Sequence, residues 1–121
     1  MKILLVDDSS SMRRIQKKLL GQLGETDVVE ASDGIVALQE LENIGQVDLI
    51  LTDWNMPNMD GITFVREVRA KEQWKSIPII MVTTEGEKSR IVEAAQAGVN
   101  NYLTKPFTPD LLAKKIAAVT G

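Results

Sequence analysis

The sequence contains no cysteine and no histidine. Without cysteine, disulfides, thiolate zinc sites and thiol nucleophiles are excluded. Without histidine, the chain lacks the side chain that most often serves as a general base, and it lacks the usual ligand of catalytic zinc. Any chemistry must therefore use carboxylates, hydroxyls, lysine and the backbone.

Long apolar runs are missing as well. The first run covers residues 3–6, with one lysine before it and two acids directly after it. A secretory signal needs roughly 7–15 apolar residues, and a membrane-spanning helix needs about 20. We therefore expect a cytoplasmic chain that makes no contact with a membrane.

Acidic and basic residues nearly balance. Of the 121 residues, 14 are Lys or Arg and 17 are Asp or Glu, so the net charge is −3. Nucleic acid is not an expected partner, because phosphate backbones bind basic surfaces. Hydrophobic residues make up 44% and charged residues 26% of the chain, as in ordinary globular proteins. Residues 1–121 are therefore expected to form one domain.

Short apolar runs alternate with segments of helical periodicity along the whole chain. This alternation predicts an α/β fold with a parallel sheet covered on both faces. Right-handed crossovers restrict the topology to a doubly wound sheet, and the flavodoxin-like (βα)5 order 2-1-3-4-5 fits the length. The predicted strands are residues 3–6, 27–31, 47–52, 77–82 and 102–104.

Several helix starts and one buried helix face are also predicted. Residues 9–11 are candidate N-caps of the first helix, Asp60 of the third and Thr108 of the last. Apolar residues at helical spacing indicate which face of the first helix packs inward. They are Met12, Ile15, Leu19, Leu20 and Leu23.

Polar side chains follow four of the predicted strands. Asp7 and Asp8 follow the first strand, Asp53 the third, Thr83 the fourth and Lys105 the fifth. In a sheet of this topology ligands bind beyond the carboxyl ends of the strands. Each of these residues alone is more often a cap, a packing residue or a solvated charge. Together they predict a crevice of carboxylates, hydroxyl and ammonium.

Three carboxylates that lie close together repel one another. One lysine offsets one negative charge, and a divalent cation offsets the other two. Oxygen ligands that retain water suit Mg²⁺. Such a site suits phosphoryl transfer, which depends on positioning and charge neutralisation. A carboxylate can itself be the nucleophile and form an aspartyl phosphate, with the phosphoryl group supplied by a partner's histidine.

Other phosphate-binding sites do not match the sequence. Neither G-x-G-x-x-G nor G-x-x-x-x-G-K-[ST] occurs. A flavin phosphate loop after the first strand would need neutral hydroxyls and glycine, whereas Asp7 and Asp8 repel phosphate there. A phosphatase of the haloacid-dehalogenase kind would carry a second Asp two positions after its nucleophile, and here that position is Asn55.

Four motifs resemble the receiver domain of bacterial response regulators over nearly the whole chain. They are V-D-D-S at 6–9, D-W-N-M-P-N-M-D-G at 53–61, M-V-T at 81–83 and N-Y-L-T-K-P-F at 101–107. Within that family the string at 54–61, M-R-R-I at 12–15 and A-A-Q-A-G at 94–98 resemble the chemotaxis regulators.

The resemblance implies roles for the acidic residues. Asp53 would accept phosphate from the phosphohistidine of a sensor kinase. Asp8 and Asp53 would ligate Mg²⁺ through their side chains, Asn55 through its backbone carbonyl, and Asp7 through water. Asn55 and Glu85 would flank the phosphoryl site and tune the lifetime of the acyl phosphate.

The resemblance also implies a switch and an output surface. Thr83 would hydrogen-bond the phosphoryl group, Lys105 would pair with it, and Lys105-Pro106 would be a cis peptide. Tyr102 would swing inward on activation. The output surface would include Lys88, Ile91, Tyr102 and Lys115.

The expected function is that of a single-domain response regulator of a two-component phosphorelay. It would act as a monomer, catalyse only its own phosphorylation and dephosphorylation, and signal by protein contact. The expected partners are a chemotaxis histidine kinase, the flagellar motor switch and a phosphatase. Two alternatives are open: a phosphorelay intermediate that passes phosphate to a histidine phosphotransfer domain, and a Mg²⁺-dependent phosphatase with a covalent Asp intermediate.

Overall fold

Strands and helices alternate along the chain in the computed structural model, which describes residues 1–84 and 86–120. All strand pairs are parallel, and the sheet order is β2-β1-β3-β4-β5. The predicted flavodoxin-like topology is therefore confirmed. The elements are β1 (Lys2–Val6), α1 (Ser10–Gln22), β2 (Asp27–Ala31), α2 (Gly34–Ile44), β3 (Leu49–Thr52), α3 (Gly61–Ala70), β4 (Ile79–Thr83), α4 (Lys88–Ala97), β5 (Asn101–Thr104) and α5 (Pro109–Thr120).

The sheet is buried on both faces, which explains why the central strands are continuous apolar runs. Leu4 of β1 belongs to an apolar cluster with Phe64 of α3 and residues of α2 and α4. Ile3 and Leu5 belong to a second cluster with Leu20 of α1 and residues of α5. Alternate residues of one strand thus support the two layers of helices, and the strand ends are held rigidly between them.

Two strands begin later than predicted. The third was expected from residue 47, but β3 begins at Leu49. The fourth was expected from residue 77 to residue 82, but β4 runs from Ile79 to Thr83. The backbone N–H of Ile77 donates to the carbonyl of Trp74 in a preceding turn, and Pro78 has no N–H to offer. Neither residue can therefore donate to the neighbouring strand.

The predicted helix caps are present. Ser9 caps α1, Asp60 caps α3 and Thr108 precedes α5, and each side chain accepts the N–H three residues further on. Asp33, which was not among the predicted caps, caps α2 in the same way. Each cap satisfies a backbone donor that the first helical turn leaves unpaired.

The predicted inner face of α1 is wrong at one position. Ile15 is 50% exposed, whereas the neighbouring Gln16 is 1% exposed. Leu20 is fully buried, and the residue four positions earlier on the same helix face is Gln16. The register of the helix is therefore set by Leu20, and an amide occupies a core position.

Among the described residues, no helix is long and apolar enough to span a membrane.

Candidate functional site

The site lies where β1 and β3 end at the same edge of the sheet. The N–H of Asp7 donates to the carbonyl of Ala31 (3.1 Å), and the N–H of Asp53 donates to the carbonyl of Val6 (2.9 Å). Both residues therefore continue the backbone pairing of the sheet by one position. Carboxylate oxygens of Asp7, Asp8 and Asp53 lie within 4.8 Å of one another, so the sheet order brings together the three acids singled out in the sequence.

Lys105 joins two of these acids. Its Nζ donates to Asp7 Oδ2 at 2.7 Å and to Asp53 Oδ2 at 2.9 Å, with only 9% of its side chain exposed. Burial by itself lowers the pKa of the Lys105 ammonium, but the hydrogen bonds to both carboxylates and their charges raise that pKa above its ordinary value. The peptide bond from Lys105 to Pro106 is cis, as the resemblance implied.

Asp7 is the buried acid of the cluster. Its Oδ1 accepts the N–H of Ser9 (2.9 Å), and its Oδ2 accepts from Gln16 Nε2 (3.3 Å) as well as from Lys105. Arg13 also donates to the backbone carbonyl of Asp7 at 2.6 Å. Asp8, by contrast, is exposed. The two adjacent acids thus differ in role, because one is fixed by protein donors and the other faces solvent.

Asp53 is held by the loop that follows it. Its Oδ1 accepts the N–H of Trp54 at 2.6 Å. The N–H of Gly61 donates to the carbonyl of Trp54 (2.8 Å), and a Cβ at position 61 would lie 2.0 Å from the carbonyl oxygen of Asp53. Only glycine allows the start of α3 to approach this closely. The loop over 53–61 is therefore folded back onto the residue that it positions.

Thr83 lies at the carboxyl end of β4 and is fully buried. Its backbone carbonyl accepts the N–H of Lys105 at 2.9 Å. Asn55, two residues after Asp53, is exposed. Glu85, the other residue assigned to tuning of the acyl phosphate, lies outside the described residues.

The predicted output residues lie on α4, β5 and α5. Ile91, the half-buried Tyr102 and Lys115 line one groove of about 360 Å³. Lys115 Nζ donates to Asn101 Oδ1 at 3.2 Å. Lys88 is an exposed residue at the start of α4, three positions before Ile91. The structure thus brings three of the four residues into one groove and places the fourth, Lys88, on α4 with Ile91.

Three contacts around the site were not predicted. Besides the Gln16 contact with Asp7, the Arg90 guanidinium lies 4.8 Å from the ring centroid of Trp54, which links α4 to the residue after Asp53.

The third contact joins Asn58 to Asp33. Asn58, at φ 67°, donates to Asp33 Oδ2 at 2.8 Å. Hydrogen bonds from the Val36 N–H and the Asn58 amide lower the pKa of Asp33. Spacing could have revealed Gln16, which lies four residues from Met12 and from Leu20.

A family model and two kinds of relatives match this combination of fold and site. Residues 3–117 match the model described as the response regulator receiver domain. The chain therefore belongs to the receiver-domain family of response regulators.

Within that family the chain is similar to several chemotaxis proteins. The chain is 51% identical over its full 121 residues to the chemotaxis protein CheY1 of Helicobacter pylori, covering 98% of that protein. It is 54% identical over 119 residues to the chemotaxis protein CheY of Pseudomonas aeruginosa, covering 98% of this chain and 95% of that protein. The solved structure of CheY4 from Vibrio cholerae superposes with a TM-score of 0.89 at 39% identity, covering 98% of this chain and 97% of that one. The chain is a response regulator receiver of the CheY chemotaxis type.

Proposed function

We propose that this chain is a phosphorylation switch in which Asp53 accepts a phosphoryl group from the phosphohistidine of a sensor kinase. The observation that carries the proposal is the Lys105 ammonium, which lies between Asp7 and Asp53 at the end of the sheet. Because the Lys105 ammonium already contacts Asp53, it can pair with negative charge added to Asp53 without a movement of the backbone. The chemistry changes the protein's own state and turns over no other substrate.

The donor set fits a divalent cation with oxygen ligands. Three carboxylates meet within 4.8 Å, and Lys105 offsets only one of their charges. We propose that Asp8 and Asp53 ligate Mg²⁺ directly, with Asn55 contributing its carbonyl and Asp7 acting through water. The burial of Asp7 under its protein donors and the exposure of Asp8 support this division. Bound Mg²⁺ would offset charge on the transferring phosphoryl oxygens.

The transfer needs no general base. A carboxylate oxygen of Asp53 forms the new bond to phosphorus while the bond from phosphorus to the imidazole nitrogen of the kinase breaks. The leaving imidazole takes a proton from solvent. A carboxylate nucleophile needs no base to remove a proton before attack, which is consistent with a site that contains no histidine. Lys105 then pairs with the added charge, and Thr83 supplies a hydroxyl from the neighbouring strand.

The output is proposed to be protein contact through α4, β5 and α5. The relatives are chemotaxis proteins, which supports a chemotaxis kinase as phosphate donor and the flagellar motor switch as target, in the cytoplasm. Tyr102, Ile91 and Lys115 share a groove, so a change at Tyr102 alters the surface that a partner would touch. Asn55 and Glu85 are proposed to tune the lifetime of the acyl phosphate.

The test is acceptance of phosphate by Asp53. With acetyl phosphate and Mg²⁺, mass spectrometry should find one phosphoryl group on the parent and none on Asp53→Asn, which keeps the shape but removes the attacking charge. Asp27→Asn, at an exposed acid on β2, is the matched control and should be modified like the parent. Modification of Asp53→Asn at the parent's rate would show that Asp53 is not the acceptor.

A further inference from the structure

Gln16 is a buried amide on the inner face of α1. It is 1% exposed, while its apolar neighbour Ile15 is 50% exposed. An amide in a core position is costly unless it is hydrogen-bonded. The partner is Asp7, whose Oδ2 accepts from Gln16 Nε2 at 3.3 Å. A residue that fills a core position thus reaches the buried acid of the candidate site.

Asp7 Oδ2 accepts hydrogen bonds from two side chains, and one of the two also donates to Asp53. Lys105 Nζ donates to it at 2.7 Å but also donates to Asp53 Oδ2 at 2.9 Å. Gln16 is packed on α1 and has no such contact with Asp53 in the described hydrogen bonds. If negative charge is added at Asp53, it competes for the ammonium of Lys105, while the amide of Gln16 stays with Asp7.

We propose that Gln16 is a positioning residue for this site: it holds the Asp7 carboxylate in its orientation when Lys105 turns toward the phosphoryl group on Asp53. The inference rests on the proposed function. Asp7 is 1% exposed, so bulk solvent has little access to its Oδ2. Once the ammonium turns toward Asp53, Gln16 is the protein donor that remains at this oxygen among the described contacts.

A purely structural role for Gln16 makes a different prediction. If Gln16 only fills space, an apolar side chain of similar length changes the stability of the metal-free protein and leaves ligand binding alone. If Gln16 positions Asp7, the metal-free protein changes little, because Lys105 still pairs with Oδ2. The loss then shows when the site is charged.

The experiment compares Gln16→Met with the parent in binding of beryllofluoride, a phosphoryl mimic, in the presence of Mg²⁺. Tryptophan fluorescence reports binding, since Trp54 adjoins Asp53. Gln16→Met should bind the mimic about three- to ten-fold more weakly, as expected for the net contribution of one ordinary hydrogen bond. Gln22→Met, at the exposed last residue of α1, is the matched control. Gln16→Leu is a second apolar variant, should the first fold poorly.

Equal affinity of Gln16→Met and the parent would overturn the inference while leaving the proposed function standing. A parent that does not respond to beryllofluoride and Mg²⁺ would instead overturn the proposed function, and the inference with it. The two failures are therefore distinguishable from the parent's response.

A double-mutant cycle tests the Gln16–Asp7 contact without any ligand. In Lys105→Met, Gln16 is the remaining side-chain donor to Asp7 Oδ2 among the described contacts. Gln16→Met should then lower the melting temperature by about 3 °C more in Lys105→Met than in the parent. The same shift in both backgrounds would contradict the contact as the source of the effect.

Discussion

At the scale of single residues, the candidate site depends on which acids are fixed and which are open. Asp7 accepts three donors and is buried, whereas Asp8 faces solvent in the same cluster. A buried carboxylate saturated with donors loses contacts when it moves onto a metal. An exposed carboxylate exchanges only water, so Asp8 is the acid most available to a cation.

Asp8→Ala should weaken Mg²⁺ binding about ten-fold or more, because it removes one of two direct carboxylate ligands. It should leave the metal-free fold as stable as the parent or more so, since like charges nearby repel. A fluorescence titration with Mg²⁺ measures the first effect, and unfolding in urea measures the second. Asp27→Ala, an exposed acid outside the cluster, should titrate like the parent. A parent-like titration of Asp8→Ala would exclude the proposed metal site.

The pKa of Lys105 predicts a pH dependence of stability. That pKa is raised above its ordinary value of 10.5 by the carboxylates of Asp7 and Asp53 against the effect of burial. The protonated ammonium therefore stabilises the folded state fully below pH 10.5, and this stabilisation is lost as pH rises through the raised pKa.

Lys105→Met should remove this alkaline loss from the stability profile. Urea unfolding of the parent and the variant from pH 8.5 upward gives two curves, whose difference should be constant at first and shrink above pH 10.5. A difference that does not change with pH would mean that the ammonium is not coupled to the acids.

At the scale of elements, one long polar side chain joins two helices of the same layer, α3 and α4. Arg69, in the last turn of α3, donates to the carbonyls of Gly98, Lys75 and Ile77 and to Asn100 Oδ1. These acceptors surround the end of α4 and the start of β4. Burial lowers the pKa of the Arg69 guanidinium. One side chain therefore fixes α3 to the C-terminal end of α4.

Arg69→Met should destabilise the fold by about 2–4 kcal/mol, because the part-buried carbonyls of Gly98 and Ile77 lose their donor at once. Arg66→Met, three residues earlier on the exposed side of the same helix, is the control and should change stability by less than about 0.5 kcal/mol. Chemical denaturation measures both. Similar losses in the two variants would show that the guanidinium network contributes little.

Element order was predictable from the sequence, and element boundaries were less so. The alternation of apolar runs and helical periods predicted the parallel sheet, and right-handed crossovers together with the chain length predicted the strand order. The start of β4 was not, because periodicity does not show that the N–H of Ile77 is used in a turn before Pro78. The burial of Gln16 in place of Ile15 was missed for a similar reason: composition favoured the apolar side chain, while the helix register was decided by Leu20.

At the scale of the whole molecule, the site joins residues that are far apart in sequence. Asp7 and Lys105 are separated by 98 positions, and Asp53 and Lys105 by 52. No local motif contains more than one of these three residues, so their proximity followed from the predicted order of the strands that they end. The contact of Arg90 on α4 with Trp54 in the loop after β3 could not be predicted, since helical spacing does not fix how a helix rotates against its neighbours.

The same sheet connects the site to the groove that is lined by Ile91, Tyr102 and Lys115. Thr83 and Thr104 are partners in the pairing of β4 with β5, and Met81 is the partner of Tyr102. If Thr83 moves toward a phosphoryl group, as proposed, the shift would therefore act on the strand that carries Tyr102. Tyr102 is half-buried against the apolar cluster beneath α4. Its side chain can move further inward only if space opens in that cluster, because protein interiors are closely packed.

Thr83→Ala should separate phosphorylation from output. Asp53 and Lys105 remain in place, so the variant should still be phosphorylated, but it lacks the hydroxyl that would follow the phosphoryl oxygens. A ligand shifts a conformational equilibrium only by its differential affinity for the two states, and without that hydroxyl most of the difference is lost. The measurement is the amide NMR shifts of Tyr102 and Ile91 with and without beryllofluoride and Mg²⁺. These shifts should change in the parent and in Thr84→Ala, the control at the exposed neighbouring position. In Thr83→Ala they should change by less than about half as much. Full-sized shifts in Thr83→Ala would assign the coupling to another contact between the site and α4, of which Arg90 over Trp54 is the next to test.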